Sequence, residues 1–470
     1  MNEIDNQEGG KLKRELGLTS IVFFLFGYIV GAGILLQTGT ASAQTGPGIW
    51  LAFIIAGIPN MISAIIIYYI ASAFPVSGGA WVYSSRLISP FIGFLVLISI
   101  MIHIIGSLAF ISIGFGRYFE SFLPGSTYYV ALIILTMFFL LNLLGVKFAG
   151  WVQVALAIFG DFLILVLFII IGLPNIDVAK LAGIEQTVFG SAGGLFPNGI
   201  GGVFVGAVIL SFSYAGFTAI VEIGGEIKNP RRTVPLGLFI SLIMVMSLYI
   251  LISIVFAGNL SFFELETGNK TIINVFEKIG ISGFFLAFLN ILVLIAIGST
   301  LHGIILAYSR NLFSAARDRI LPTILSKVNK RFSTPHWAVT FFCVSSLILL
   351  IFRPSYDDLQ YYCALTITIP TVIIAFAPYL LEKKYPELLE NSKFKIKKKY
   401  LLMLIIFNVA YSALSILAII GIKLYIVLIV VGLYAIAIIY YVVRRRWLKK
   451  RGFDLNEICQ RIPEETKELL

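Results

Sequence analysis

Residues 27–34 read Gly27-Tyr28-Ile29-Val30-Gly31-Ala32-Gly33-Ile34 and lie inside the first long apolar run of the chain. Glycines at this density are costly in a membrane-crossing helix, about 1 kcal/mol each in a helix interior. Backbone that unwinds at membrane depth is tolerated where it is buried in protein or lines a cavity. Gly31, Ala32 and Gly33 are therefore read as a helix break. Such a break frees N–H and C=O groups near the midplane, and the half-helix that starts there attracts anions. The competing reading is a close helix–helix contact built on small residues.

The rest of the chain makes this a membrane problem. Of 470 residues, 59% are hydrophobic and 13% charged, and mean hydropathy is +0.97. Runs long enough to span a bilayer, about 20 residues, recur along nearly the whole length. A β-barrel would show short alternating segments instead. The expectation is an all-α polytopic protein with twelve transmembrane helices, at 16–38, 49–74, 87–119, 127–146, 148–173, 200–223, 234–257, 279–313, 337–352, 359–381, 400–422 and 424–443.

The net charge of +11 does not point to nucleic acid, because of where the charges fall. Of 35 Lys and Arg residues, 29 lie in or next to the two tails and the even-numbered loops, and six lie on the other side. That asymmetry follows the positive-inside rule. It places both termini in the cytoplasm, supports an even number of spans, and adds attraction to anionic lipid. Cys343 and Cys363 fall in apolar runs and Cys459 in the tail, so no disulfide framework is implied. The N-terminus has the layout of a signal peptide, but its apolar stretch is too long for an h-region and reads as a retained span.

Along the chain, residues 1–15 are polar, and 37–48 form an uncharged loop rich in Gly, Thr and Ala. Phe74-Pro75-Val76-Ser77-Gly78-Gly79-Ala80-Trp81-Val82-Tyr83 is either a re-entrant turn packed on the protein or a tight interfacial turn anchored by Trp81 and Tyr83. His103 in span three, a lone histidine on an apolar helix, reads as packing and is given no role. Asp161 lies near the centre of span five. An ionisable group there costs roughly 2.5–3.5 kcal/mol on insertion scales and by default marks an ion or proton pathway; the alternative is a structural hydrogen bond. A buried carboxyl without a partner can carry a proton. In span eight, Ser299 and Thr300 are candidate ion ligands, or hydroxyls that bond neighbouring helices.

Span six carries a second interruption, Phe212-Ser213-Tyr214-Ala215-Gly216-Phe217, and ends in Glu222-Ile223-Gly224-Gly225-Glu226-Ile227-Lys228-Asn229-Pro230-Arg231-Arg232. Interrupted spans at corresponding positions of two halves point to a midplane binding site in an inverted-repeat transporter. Five spans separate the interruptions, which gives the halves opposite orientation. The organisation is a tail (1–15), a first repeat (16–173), an extracellular loop (174–199), a second repeat (200–381), a basic loop (382–399), two further helices (400–446) and a C-terminal tail (447–470) that has the makings of a short surface helix.

These residues resemble the amino acid–polyamine–organocation transporter family, with its LeuT-type five-plus-five fold. The resemblance covers roughly residues 11–445. It rests on Gly31-Ala32-Gly33-Ile34, on the stretch from Phe74 to Tyr83, on Ser213-Tyr214-Ala215-Gly216-Phe217 with Glu226 to Arg231, and on Ser309-Arg310 with Ala316-Arg317-Asp318 and Leu321-Pro322. It implies an alternating-access carrier of an amino acid or amine, with a proton or sodium as candidate coupling ion, a lipid bilayer around it and no cofactor. The amides of Gly31, Ala32 and Gly33 would bind the substrate carboxylate. Carbonyls near Ile29 or Val30 and at Ser213, Tyr214 and Ala215 would take the amino group, and Phe212 would gate the site beside Gly216 and Phe217.

The chain departs from the family pattern twice. Where some members carry a Lys in span five, this chain has Gly160 and Asp161, whose charge logic is to recruit a proton or cation. Thr218 stands where members that handle basic amino acids have an acidic residue. With Ala32, Phe212 and Phe217, that favours neutral or hydrophobic amino acids. The other readings are a polyamine carrier or exchanger, and a membrane sensor that binds without transporting. An integral membrane enzyme would need a His/Asp/Glu or metal-ligand cluster, and none is evident; a primary pump would need a phosphate-binding loop.

Overall fold

The computed structural model describes residues 17–74, 79–184, 186–187, 190–191, 194–218, 227–329, 331–332, 334–390, 392 and 394–460. Among them the regular structure is helical apart from an antiparallel pairing of Gln186–Thr187 with Gly190–Ser191 and a single bridge residue, Ile227. Eight helical segments are long and apolar enough to cross a membrane, and Thr127–Leu143 and His336–Ile351 are shorter apolar helices. The chain is a multi-pass helical membrane protein.

The first apolar run is two helices. α1 (Leu18–Ile29) stops where Val30 turns extended, at φ −76° and ψ 141°, and α2 (Ala32–Thr45) starts after Gly31 at φ 135° and ψ −117°. The break therefore falls at Val30 and Gly31, and Ala32 and Gly33 already belong to the first turn of α2. Residues 37–48, expected as a loop, are mostly helix: α2 continues to Thr45 before the 3-10 turn Gly46–Gly48. The segment lacks charge because it is buried; Gln37 and Thr45 are both 0% exposed.

α3 (Ile49–Ala73) packs beside α9 (Pro230–Asn259), and α4 (Pro90–Phe119) beside α12 (Tyr356–Ala375). Ser89 caps α4 by accepting from the Ile92 amide at 3.2 Å, with Pro90 at the first helical position, where its missing N–H costs nothing. Ahead of it, Gly79–Tyr83 forms a short helix and Ser84–Ile88 a π turn. Trp81 and Tyr83 are 0% and 1% exposed, so this turn packs on the protein; Pro75, Val76, Ser77 and Gly78 lie outside the described residues.

α5 (Thr127–Leu143) leads to α6 (Val146–Leu156) and α7 (Leu163–Gly172), joined by the π turn Ala157–Phe162 that carries Asp161. α8 (Gly199–Leu210) runs into the 3-10 segment Ser211–Thr218. Residues 219–226 and the Thr218 side chain, both part of the reading above, lie outside the described residues. α10 (Gly283–Arg317) passes through the core against the π turn, and α11 is His336–Ile351.

α13 (Lys398–Lys450) runs for 53 residues with one non-helical residue, Lys423, at φ −141° and ψ 58°. It leans on α12 and joins the core through polar contacts: Asn408 Nδ2 donates to Ser63 Oγ at 2.8 Å, and the Tyr411 and Ser211 hydroxyls are 2.9 Å apart. α14 (Leu455–Gln460) is the short tail helix, packed back against the π turn Ser84–Ile88 with Leu455 and Cys459 buried. Arg86 pairs with Asp318, Lys384 Nζ reaches the Ile88 carbonyl at 3.2 Å, and Arg444 reaches the Arg319 carbonyl at 2.9 Å; the region they share is called the basic face below.

Candidate functional site

The two interruptions meet. A Cβ on Gly33 would lie 2.4 Å from Ser213 Cα, and one on Gly216 would lie 2.8 Å from the Tyr28 carbonyl oxygen. Backbone thus touches backbone across α1–α2 and the Ser211–Thr218 segment, a separation that only residues without a side chain permit. Tyr249 in α9 bridges them: its hydroxyl lies 2.9 Å from the Ile29 carbonyl and 3.1 Å from that of Ser213. Ser213 Oγ donates to Gln37 Oε1 at 2.9 Å, and Tyr214 Oη donates to the Phe53 carbonyl at 3.0 Å.

The residues read as an anion site are brought together with one change. The Ala32 amide already donates to Thr300 Oγ1 at 2.9 Å. The Gly31 and Gly33 amides remain at the start of α2, where N–H groups have no intrahelical partner. Ile29 and Ser213 offer carbonyls that already accept from Tyr249 and keep a second lone pair each. Phe212 leans edge-on against Phe110, ring centroids 5.6 Å apart at 88°, and lies 5.8 Å from the His103 ring.

Behind the first break sits Asp161, 0% exposed. A Cβ on Gly31 would meet Thr300 Oγ1 at 2.3 Å, Asp161 Oδ1 at 2.8 Å and the Ala296 carbonyl oxygen at 3.1 Å. Ser299 lies alongside the carboxyl and also accepts from Gln153 Nε2 at 3.1 Å. Neither Asp161 oxygen makes a well-formed hydrogen bond among the described residues. Asp161, Ser299 and Thr300, from the π turn and α10, therefore converge on the helix break. They form a cluster of oxygen atoms that can accept a proton or a small cation.

Sealing differs on the two sides. Away from the basic face, Phe110 packs against Tyr356 in a tilted pair, ring centroids 4.9 Å apart at 32°, with the Arg117 guanidinium 4.2 Å over the Tyr356 ring. Tyr356 Oη donates to the Leu36 carbonyl and Tyr118 Oη to that of Leu35, both at 2.8 Å. On the other side of Phe212 a cavity opens between α3, α4, α10, α12 and α13, with Phe217 and His103 in its wall. At the basic face, Asp318 Oδ2 accepts from Trp81 Nε1 at 2.7 Å and pairs with buried Arg86.

Sequence reasoning missed Tyr249 and His103 as parts of this centre. A tyrosine in the middle of an apolar run was the available signal for the first. Nothing in one sequence reveals what His103 faces.

Two broken helices joined back to back, with a carboxyl behind them, define the class: a membrane transporter built around discontinuous helices. A family model described as amino acid permease matches residues 16–451, and the chain belongs to that family, within the amino acid–polyamine–organocation superfamily of transporters, not enzymes. Among its relatives is the branched-chain amino acid permease BcaP of Bacillus subtilis (strain 168), 25% identical over 80% of this chain and 83% of the relative. The serine/threonine exchanger SteT of the same organism is 26% identical over 80% of this chain and 85% of its own length. The chloroplastic cationic amino acid transporter 9 of Arabidopsis thaliana is 28% identical over 69% of this chain and 59% of its own.

Proposed function

We propose that the protein is a secondary transporter of amino acids, neutral or hydrophobic ones favoured, that works by alternating access and couples to a proton or cation at Asp161. The observation that carries this reading is the backbone contact between the two helix breaks, with the Asp161, Ser299 and Thr300 oxygens behind it. The Gly31 and Gly33 amides and the α2 dipole hold the substrate carboxylate; the Ile29 and Ser213 carbonyls take its amino group. In this reading the chain has twelve spans, the first ten a five-plus-five inverted repeat, with domain limits as given above. It lies in the plasma membrane with the basic face and both termini in the cytoplasm. The named relatives carry branched-chain, hydroxylated and cationic amino acids between them, which supports an amino acid without choosing the side chain.

Counterflow of a panel of labelled amino acids and polyamines into proteoliposomes tests the reading. Accumulation of amino acids is expected. Accumulation of polyamines alone would favour the amine carrier, and none by folded protein would favour the sensor. Coupling is tested separately. Asp161→Asn is expected to abolish uptake driven by a pH or cation gradient while sparing counterflow and binding. Unchanged driven uptake would remove Asp161 from the coupling step.

A further inference from the structure

Gln37 lies one turn along α2 from Gly33, and it and Ser213 are enclosed by protein, 0% and 1% exposed. A helical side chain leans back over the turn before it, and Gly33 has no side chain to fill the space beneath. Ser213 fixes the position of the Gln37 amide: its Oγ would stand 3.0 Å from a Cβ on Gly33 and lies 2.9 Å from Gln37 Oε1. The amide is therefore at the point where the two helix breaks touch. Tyr118 and Tyr356 donate to the Leu35 and Leu36 carbonyls at 2.8 Å each, which anchors the turn of α2 that carries it.

The Ser213 hydroxyl has one hydrogen and gives it to Gln37 Oε1. That sets the orientation of the amide, with Oε1 at Ser213 and Nε2 on the opposite arm. Nε2 is buried and has no hydrogen-bond partner among the described residues. A buried N–H without an acceptor is costly, and one kept beside a binding site points to an acceptor that the ligand supplies. The acceptor common to all amino acids is the carboxylate. Of the three amides at the start of α2, that of Ala32 is engaged by Thr300 Oγ1 at 2.9 Å, which leaves those of Gly31 and Gly33. An ionised carboxylate has about four lone-pair sites, and two amides leave it short of partners once its water is gone.

We propose that Gln37 is a further substrate-binding residue: held by Ser213, it donates Nε2–H to the substrate carboxylate and makes the site selective for amino acids over uncharged derivatives with the same side chain. The inference rests on the transport reading above and adds a side chain to the backbone contacts of that reading.

The test is competition against counterflow of labelled leucine, serine and arginine, by each unlabelled amino acid and by its carboxamide, on wild type and Gln37→Leu, with thermal unfolding of both proteins. The carboxamide keeps the side chain and the amino group and removes the charge, so its bond to Nε2 is the weaker one. Wild type is expected to bind the acid more tightly than the amide. Gln37→Leu should weaken the acid on the order of tenfold and the amide less than about threefold. The same narrowing is expected for whichever of the three is carried, because the carboxylate is common to them. An unchanged acid affinity in folded Gln37→Leu would overturn the inference. So would equal losses for acid and amide, the mark of a residue that only ties α2 to Ser213. If Gln37→Leu does not fold, Gln37→Asn shortens the reach by one methylene and should show the same selective loss; wild-type affinity there would overturn the inference. Folded wild type that accumulates no amino acid would overturn the transport reading as well, which separates the two failures.

Discussion

Gly31 was legible as a break because a glycine in an apolar helix has to be justified by its backbone. Its φ of 135° is the justification, and the nearness of Thr300 and Asp161 to the missing side chain is a second one. Asp161 was legible for a similar reason: its charge has a cost at membrane depth. Tyr249 was not, because its worth depends on two carbonyls, Ile29 and Ser213, that only folding brings to one hydroxyl. Tyr249→Phe deletes that hydroxyl and nothing else. The expected cost is about 1 kcal/mol of stability, read as a lower Tm in detergent, together with weaker amino-acid binding as the two breaks lose their common donor. Unchanged Tm and affinity would show that the bridge holds neither.

At the scale of elements, the sequence displayed where helices are interrupted but not what the interruption becomes. The apolar run of α6 and α7 gave no sign of the π turn at Ala157–Phe162, because a π turn differs from α-helix by one inserted residue and not by composition. Residues 37–48 read as a loop because Gly, Thr and Ala lack an apolar stripe; they are mostly helix, and most of them are buried against the rest of the protein. The Ser211–Thr218 segment was visible as an interruption, and its 3-10 winding brings Phe212 against Phe110 and His103. Phe212→Ala removes the ring between His103 and the Phe110–Tyr356 pair. Weaker substrate binding is expected, with substrate exchanging faster from the side away from the basic face. Wild-type affinity and exchange rates would exclude a gating role.

For the whole molecule, charge placement made the membrane topology readable, while long-range pairings were hidden. Arg86 and Asp318 lie 232 positions apart in the sequence and pair inside the basic face, with side chains 4% and 10% exposed. The tail was readable as a possible surface helix. Its packing was not, because α14 is held by contacts with distant elements: Cys459 is 2% exposed beside Ser85 and Arg86. Burial pushes the Cys459 thiol up to about 11, against the pull of nearby Arg86. With little thiolate at neutral pH and little access, it should alkylate slowly in folded protein. Asp318→Ala leaves Arg86 buried without its carboxylate, a loss of about 3–5 kcal/mol for pairs of this kind. The expected result is local loosening, seen by mass spectrometry as faster maleimide labelling of Cys459. An unchanged labelling rate would mean that the tail docks independently of the ion pair.

The central claim is that the ligand sits where the two broken helices touch. Gly33→Ala tests it most directly, because a methyl group there would lie 2.4 Å from Ser213 Cα and must move the two breaks apart. The measurement is calorimetric titration of purified wild type and Gly33→Ala with the amino acid that counterflow identifies, alongside thermal unfolding of both. The account predicts a loss of affinity on the order of tenfold or more, about 1.4 kcal/mol, with cooperative unfolding retained. Wild-type affinity in a folded Gly33→Ala protein would contradict it and place the ligand elsewhere.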